Sequence, residues 1–371
     1  MTAFAARDDI DVVVELVGGS DGPALALARK ALGGGKGLVT ANKAMIAHHG
    51  LALAEQAALR GVPLKFEAAV AGGIPVVKGL REGAAANRIE RIYGILNGTC
   101  NYILSEMERT GADFGDMLRA AQEKGYAEAD PTFDIEGVDA AHKLAILAGI
   151  GFGARVDFDH VAATGIGEVR AADITQAGSL GYVIRLVGIA SLDRSEKQPT
   201  LLQRVRPCLV GRGHPLAAVA GPTNAVVAEG NFVGRLLFQG AGAGAGPTAS
   251  AVVADLIDIA RGDSGAPFSV PVEQLEQFAP ADPGNRVGRD YIRFTVNDRP
   301  GVLAEITAAM RDAEVSIESL IQRGRDHEGG EVLVAMVTHE GPERCVAKAL
   351  ELLDGSPSLT AQPLVMPILK D

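Results

Sequence analysis

The first seventy residues alternate between β-branched apolar runs and stretches of helical spacing. DVVVELVGG (11–19) is a short apolar run that ends in glycines, and PALALARKAL (23–32) places apolar residues three and four apart. GLVTA (37–41), a helix over about 44–60, and PLKFEAAVAGG (63–73) continue the alternation. Strands that take turns with helices predict parallel βαβ units buried on both faces. From 89 to 229 the pattern is mixed: strand-like IERIYGIL (89–96) and NAVVAEG (224–230) bracket helical stretches. RGDSGAP and PADPGNRVG, after residue 262, have the Pro, Gly and charge content of a connector. Beyond it, DYIRFTV, VLAEITAAMRDA, SIESLIQR, EVLVAMVTH, ERCVAKALELL and QPLVMPIL read as βαββαβ, the ferredoxin-like order.

At 371 residues and 47% apolar content, the chain is long enough for two or three cores. Its net charge is −11 and its lysines and arginines are scattered, which argues against nucleic acid or an anionic membrane and for a small-molecule partner. Three distant cysteines make neither a disulfide framework nor a structural zinc site. With an acidic start and no apolar stretch long enough to span a bilayer, the expected location is cytoplasmic. A dinucleotide-binding sheet opens with a strand, a glycine-rich turn and a helix, and no such unit precedes residue 11. The glycine string GAGAGAGPT (240–248) satisfies the spacing loosely, with Pro247 suited to a first helical turn. It reads either as a phosphate loop or as a tight turn that touches a cofactor from another side.

The stretch KGYAEADPTFDIEGVDAAHK (124–143) gathers five carboxylates between two lysines. Asp139 and Lys143 stand four apart and head a stripe that continues through Ile146, Leu147 and Ile150, so the pair is expected to face a cleft. Carboxylates nearby favour the ammonium form of a lysine. The plainer reading is a solvated acidic loop with an i,i+4 salt bridge worth ~0.3–0.5 kcal/mol. Lys43, in TANK, follows a strand end, where open α/β sheets place ligand groups; otherwise it starts a surface helix. Asn97, Gly98 and Thr99 sit at another strand end. EAAVAGGIP offers backbone carbonyls and one carboxylate, a set suited to a hard monovalent cation, or else a tight turn. Asn297 and Asp298 precede a Pro-Gly turn that opens a helix, a cradle for an amino acid. Cys100 has no histidine nearby to make it a nucleophile, and His48, His49 and His142 read as packing or solvent-facing residues.

VTANKAMIA, FEAAVAGGIPVV, GILNGTCNYILSEM and KGYAEADPTFDIEGVDAAHKLAILAGI, in this order, resemble homoserine dehydrogenase. GAGAGAGPTASAVVADLIDIA is similar to the family's closing helix, and VNDRPGVLAEITAAM to the opening of an ACT domain. The resemblance implies an α/β chain of three parts. Residues 1–66 are the remainder of an incomplete Rossmann-like nucleotide-binding domain, and 67–229 an α+β substrate and dimerisation domain. Residues 230–262 return to the first domain, 263–288 form a linker, and 289–371 are a βαββαβ ACT domain. The first ~60 to 70 residues of such a domain lie outside the match, from a misplaced start or a true truncation.

The implied reaction is reversible hydride transfer between NADP or NAD and aspartate 4-semialdehyde, giving homoserine on the route to threonine, methionine and isoleucine. Lys143 is implied as proton donor and Lys43 as a second catalytic lysine near the nicotinamide. Glu128, Asp139, Asp134, Gly98 and Thr99 are implied at the substrate, with Glu128 and Asp139 pairing with its ammonium. Gly18, Gly19, Asn42, Lys43 and Gly244 are implied at the cofactor, and Glu67, Val70, Gly72 and Ile74 at a sodium ion. Asn297, Asp298 and Gly301 are implied at a regulatory site for threonine, in a homodimer or homotetramer. The alternative is an inactive amino-acid-binding or oligomerisation subunit.

Overall fold

A computed structural model describes residues 3–195, 197–263, 265–323 and 331–370. The first part is the expected βαβ pattern. Strands β1 (Val12–Glu15), β2 (Gly37–Thr40) and β3 (Leu64–Lys65) make a parallel sheet in the order β1-β2-β3, joined by helices α1 (Pro23–Gly33) and α2 (Lys43–Arg60). Asn42 caps α2 by accepting the Met45 N–H at 3.0 Å, and Gly61, at φ 64°, ends it. Of the apolar run 63–73 only two residues pair as strand. The chain then turns through left-handed Ala71 and Gly72, where a Cβ on Gly72 would stand 2.6 Å from the Gly242 carbonyl oxygen.

The second part is built on a seven-stranded sheet. Along the chain come α3 (Val76–Lys78), β4 (Ile89–Ile95), α4 (Gly98–Thr110), α5 (Phe114–Glu123), the single turn α6 (Thr132–Ile135), α7 (Val138–Phe152) and β5 (Ala162–Ala163). They are followed by α8 (Ala171–Ser179), β6 (Tyr182–Asp193), β7 (Thr200–Gly211), β8 (Thr223–Gly230), β9 (Gly234–Ala241), α9 (Ala245–Ala260) and β10 (Ala279–Pro280). The order is β10-β7-β6-β4-β8-β9, with β5 also paired to β7. Helix α7 is buried from Asp139 to Ile150 and packs on β4 and β6. Interior helices of this kind carry polar groups only where partners are supplied, so a buried Asp139 and Lys143 demand local compensation.

Two expected boundaries move. Strand β9 pairs with β8 along its whole length, from Thr223↔Ala241 to Gly230↔Gly234, because a hairpin neighbour offers a complete ladder. The segment that returns to the first sheet is therefore α9 alone, which packs on β2 and on residues 67–69. Residues 263–288 are anchored to the core instead of spanning freely: Phe268 is fully buried, Val272, Leu275 and Phe278 are buried, and β10 runs parallel to β7.

A ribbon of β11 (Val287–Gly288) and β15 (Gly341–Pro342) leads into the C-terminal part. Its elements β12 (Asp290–Asn297), α10 (Val302–Asp312), β13 (Ile317–Arg323), β14 (Glu331–Thr338), α11 (Glu343–Leu352) and β16 (Leu364–Pro367) follow the expected βαββαβ order, with a sheet ordered β13-β14-β12-β16. This unit has its own core and docks on the seven-stranded sheet through buried polar contacts. Tyr291 donates its hydroxyl to Asp173 at 2.9 Å and Arg293 pairs with the same carboxylate. Glu343 accepts from Arg204, Arg206 and Arg286, each at 2.9 Å. Among the described residues no helix is long and apolar enough to cross a membrane.

Asp173 is wholly buried, so removing it strands the Arg293 charge. Asp173→Ala is expected to cost about 3–5 kcal/mol, read as a lower urea midpoint by tryptophan-independent far-UV circular dichroism.

Candidate active site

A cleft of about 870 Å³ opens between the first sheet and the seven-stranded sheet. Its walls come from the carboxyl ends of strands and from helix starts: Lys43 at the head of α2, Asn97 to Thr99 at the head of α4, Asp134 on α6, Asp139 and Lys143 on the first turns of α7. Glu128, Asn224 and the loop Gly240–Gly244 complete it.

Asp139 is the centre. Its side chain receives Lys143 Nζ at 2.7 Å on Oδ2 and Lys43 Nζ at 2.8 Å on Oδ1, and Asn97 Nδ2 donates to Oδ2 at 2.8 Å. Burial, with Asp139 only 3% exposed, would raise its pKa, but Lys143 and Lys43 outweigh that and hold the carboxyl well below the usual range. Burial likewise opposes the charge on Lys43, yet Asp139, then Asp134 and Glu128, bring its pKa above the ordinary value. Lys143 also donates to the Leu96 carbonyl at 2.8 Å. Asn97 does double duty, accepting the Cys100 N–H as the cap of α4 and donating to Asp134 Oδ1 at 2.8 Å. Thr99 donates to the Tyr126 carbonyl at 2.7 Å and lies 3.0 Å from Asp134 Oδ2.

Lys43, Lys143, Glu128, Asp134, Asp139, Gly98, Thr99, Gly72 and Gly244 all line this one cleft. Asp139 does not stand free for a substrate ammonium, because both its oxygens are engaged by lysines and Asn97; Glu128 is the exposed carboxylate on the wall. Gly18, Gly19 and Asn42 are not among the residues that line the cleft, and the two glycines are exposed. Gly18 and Gly19 adopt φ 86° and 85°, and Asn42 Nδ2 donates to the Gly19 carbonyl at 2.7 Å. Glu67, Val70 and Ile74 are buried beside the cleft, and Asn297, Asp298 and Gly301 belong to the C-terminal unit. Cys100 is a buried thiol that donates to the Asp134 carbonyl, its pKa raised by burial. His142 packs flat on Phe158 with ring centres 4.2 Å apart, and burial and then His48 push its pKa down to about 4.

Three further residues, of which only Glu15 carries a local signal in the sequence, hold the site's surroundings together. Glu15 is fully buried at the end of β1, where it accepts the N–H groups of Val17 and Gly18 and the Thr40 hydroxyl, tying the ends of β1 and β2 together. Asn224, at the start of β8, donates to the Leu96 carbonyl at 2.8 Å. Asp255 on α9 accepts the Glu67 N–H at 2.9 Å. Each meets a partner more than twenty residues away, so only an acidic residue in an apolar strand, as in VVVE, hinted at a role.

A family model described as homoserine dehydrogenase matches residues 75–257, and one described as ACT domain matches residues 291–352. A homoserine dehydrogenase of Synechocystis is 43% identical over 100% of this chain and 86% of its own length; one of Pseudomonas aeruginosa is 46% identical over 95% and 82%. The crystal structure of a homoserine dehydrogenase from Thiobacillus denitrificans superposes with a TM-score of 0.90 at 41% identity, covering 100% of this chain and 84% of that one. A hyperthermophilic archaeal homoserine dehydrogenase in complex with NADPH matches with a TM-score of 0.61 at 28% identity over 71% of this chain and 76% of that one.

The carboxylate beside the cleft supplies a pH test. Glu67 accepts the N–H groups of Val77 and Lys78, each at 2.9 Å. Burial pushes its pKa up from 4.5 to about 7, against those N–H bonds and with help from Asp255. A folded pKa above the unfolded one means that the folded state binds the proton more tightly. The stability this group contributes is complete below pH 4.5 and is lost as pH rises to about 7. In sodium-free buffer, wild-type protein is expected to lose about 3 kcal/mol more than Glu67→Gln across that window, measured by urea unfolding.

Proposed function

The chain belongs to the homoserine dehydrogenase family and is an oxidoreductase of that kind, and from this premise we propose how its cleft works. The observation that carries the reading is the pair of lysines on one buried carboxylate. In the direction of aldehyde reduction, the carbonyl oxygen of aspartate 4-semialdehyde gains negative charge and then a proton. An ammonium has three donors, and Lys143 commits two of them, to Asp139 and to the Leu96 carbonyl. One N–H remains for the oxygen, in a direction fixed by the other two. Lys43, held at 2.8 Å on the opposite oxygen of Asp139, adds positive charge where the alkoxide develops. Asp139 thus orients both lysines, while Glu128 meets the substrate ammonium and Asp134, with Thr99, shapes the pocket beside it.

The reduced form of the cofactor, NADPH or NADH, would supply the hydride in this direction, leaving NADP or NAD. The residues that suit it are the small ones on the cleft wall, Ala41, Ala68, Ala69 and Ala71, which leave room for a flat ring. Gly244, at φ 115°, opens α9 without a side-chain cap, so backbone N–H groups remain for an anionic group. Gly18, Gly19 and Asn42 set the shape of the loop at the end of β1.

For sodium, the turn fits in its backbone and less in its side chain. The Val70 and Gly72 carbonyls belong to the left-handed turn, whereas both Glu67 oxygens already accept N–H groups and the Ile74 carbonyl accepts from Val76 at 2.7 Å. We assign the ion to the carbonyls, with Glu67 as a nearby counter-charge.

Threonine is the proposed effector of the C-terminal unit. Asn297, Asp298 and Gly301 lie beside Glu305, which accepts the hydroxyls of Ser356 and Ser358 at 2.5 Å each, and Arg299, which donates to Ser358 at 2.9 Å. A donor and an acceptor next to a helix start suit an amino acid's two charged ends. Self-association, as a dimer or tetramer, is supported by the open edge of β9 and by exposed Phe232, Val233 and Leu237.

Lys143→Met is expected to lower kcat for homoserine oxidation with NADP by about 10²- to 10⁴-fold, followed by steady-state absorbance, while a separate fluorescence titration shows NADPH binding retained. Full activity in this variant excludes the proton-donor role. Saturating threonine is expected to lower activity, and Glu305→Gln to weaken threonine binding by calorimetry; wild-type binding in the variant rules out this location.

A further inference from the structure

We infer that Asn224 is a positioning residue for Lys143, acting through the carbonyl of Leu96; this rests on the proton-donor reading of Lys143. That carbonyl is shared: Lys143 Nζ and Asn224 Nδ2 each donate to it at 2.8 Å, the first from α7 and the second from the start of β8. Leu96 precedes Asn97, the residue that joins Asp134 and Asp139. Asn224 therefore fixes the point in space against which the ammonium is braced. The orientation of its amide follows from this contact, because only the nitrogen end can donate to a carbonyl.

The other end of the same side chain has a cost. Asn224 is 1% exposed, and its Oδ1 is buried without a hydrogen-bond partner among the described residues. A buried acceptor left unmade is unfavourable to folding, and an apolar residue of similar shape would avoid it. The side chain is enclosed by two glycines. A Cβ on Gly242 would lie 2.1 Å from Asn224 Cγ, and one on Gly98 would lie 3.5 Å from Oδ1. The loop 240–244 and the head of α4 thus close over an amide whose nitrogen is bonded and whose oxygen has no partner among the described residues. A buried polar atom left without a partner calls for an explanation, and a site that needs its geometry supplies one.

Because Lys143 donates its proton only as the reaction proceeds, loosening its brace lowers kcat and kcat/KM together and leaves ground-state binding in place. The experiment compares Asn224→Leu, Asn224→Ala, Gly242→Ala and Lys143→Met with wild type in steady-state kinetics and thermal unfolding. Asn224→Leu is expected to lose about tenfold in kcat with substrate KM within about twofold, and to melt at or above the wild-type temperature. Gly242→Ala, which displaces the amide by a different route, is expected to share the kinetic defect. Wild-type kcat in both Asn224 variants, alongside an inactive Lys143→Met, overturns this inference alone. Activity retained in Lys143→Met overturns it together with the reading beneath it. A fall of kcat and melting temperature together in both Asn224 variants shows a structural role only and also overturns it.

Discussion

One carboxylate held between two lysines organises this protein's cleft. Asp139 lies in a helix that is otherwise an interior helix, and an isolated carboxylate there would be neutralised or would destabilise the fold. Lys143, one turn along, and Lys43, from a different domain, supply the compensation. The arrangement solves a folding problem with the contacts on which the proposed chemistry rests. Two lysine amines are separated by one carboxylate and line one common cleft.

The surrounding architecture reads as support for that triad. Asn97 reaches Asp139 while capping α4, so the helix that brings Gly98 and Thr99 to the cleft is fixed to the same carboxylate. Glu15 ties the ends of β1 and β2, and thereby sets where α2 and Lys43 begin. The C-terminal unit is attached at a distance from the cleft, through Asp173 and Glu343. Helix α8, which carries Asp173, also packs against α4. Packed elements therefore run without a break from the C-terminal unit to the wall of the cleft.

Much of this was legible in the sequence, for identifiable reasons. The βαβ alternation, the βαββαβ tail and the Asp139–Lys143 spacing depend on local periodicity, which the chain displays directly. Lys43 was legible because TANK follows a strand and ligand groups gather at strand ends. What escaped is non-local. That Asp139 pairs with a second lysine depends on Lys43, almost a hundred positions earlier. Asn224 and Asp255 act through partners brought near only by the fold, and the pairing of β9 with β8 leaves α9 alone to return to the first sheet, where the resemblance implied all of 230–262. Phe268 and Phe278 turned an expected linker into part of the core, because composition averages conceal single buried anchors.

The central claim is that Lys43 and Asp139 act as one unit in the cleft. A double-mutant cycle on kcat/KM for homoserine oxidation, with Lys43→Met, Asp139→Asn and the combination, tests it most directly. The account predicts strong non-additivity, the double variant being scarcely worse than the poorer single one. Losses that simply multiply would show that the lysine and the carboxylate contribute independently, and would contradict it.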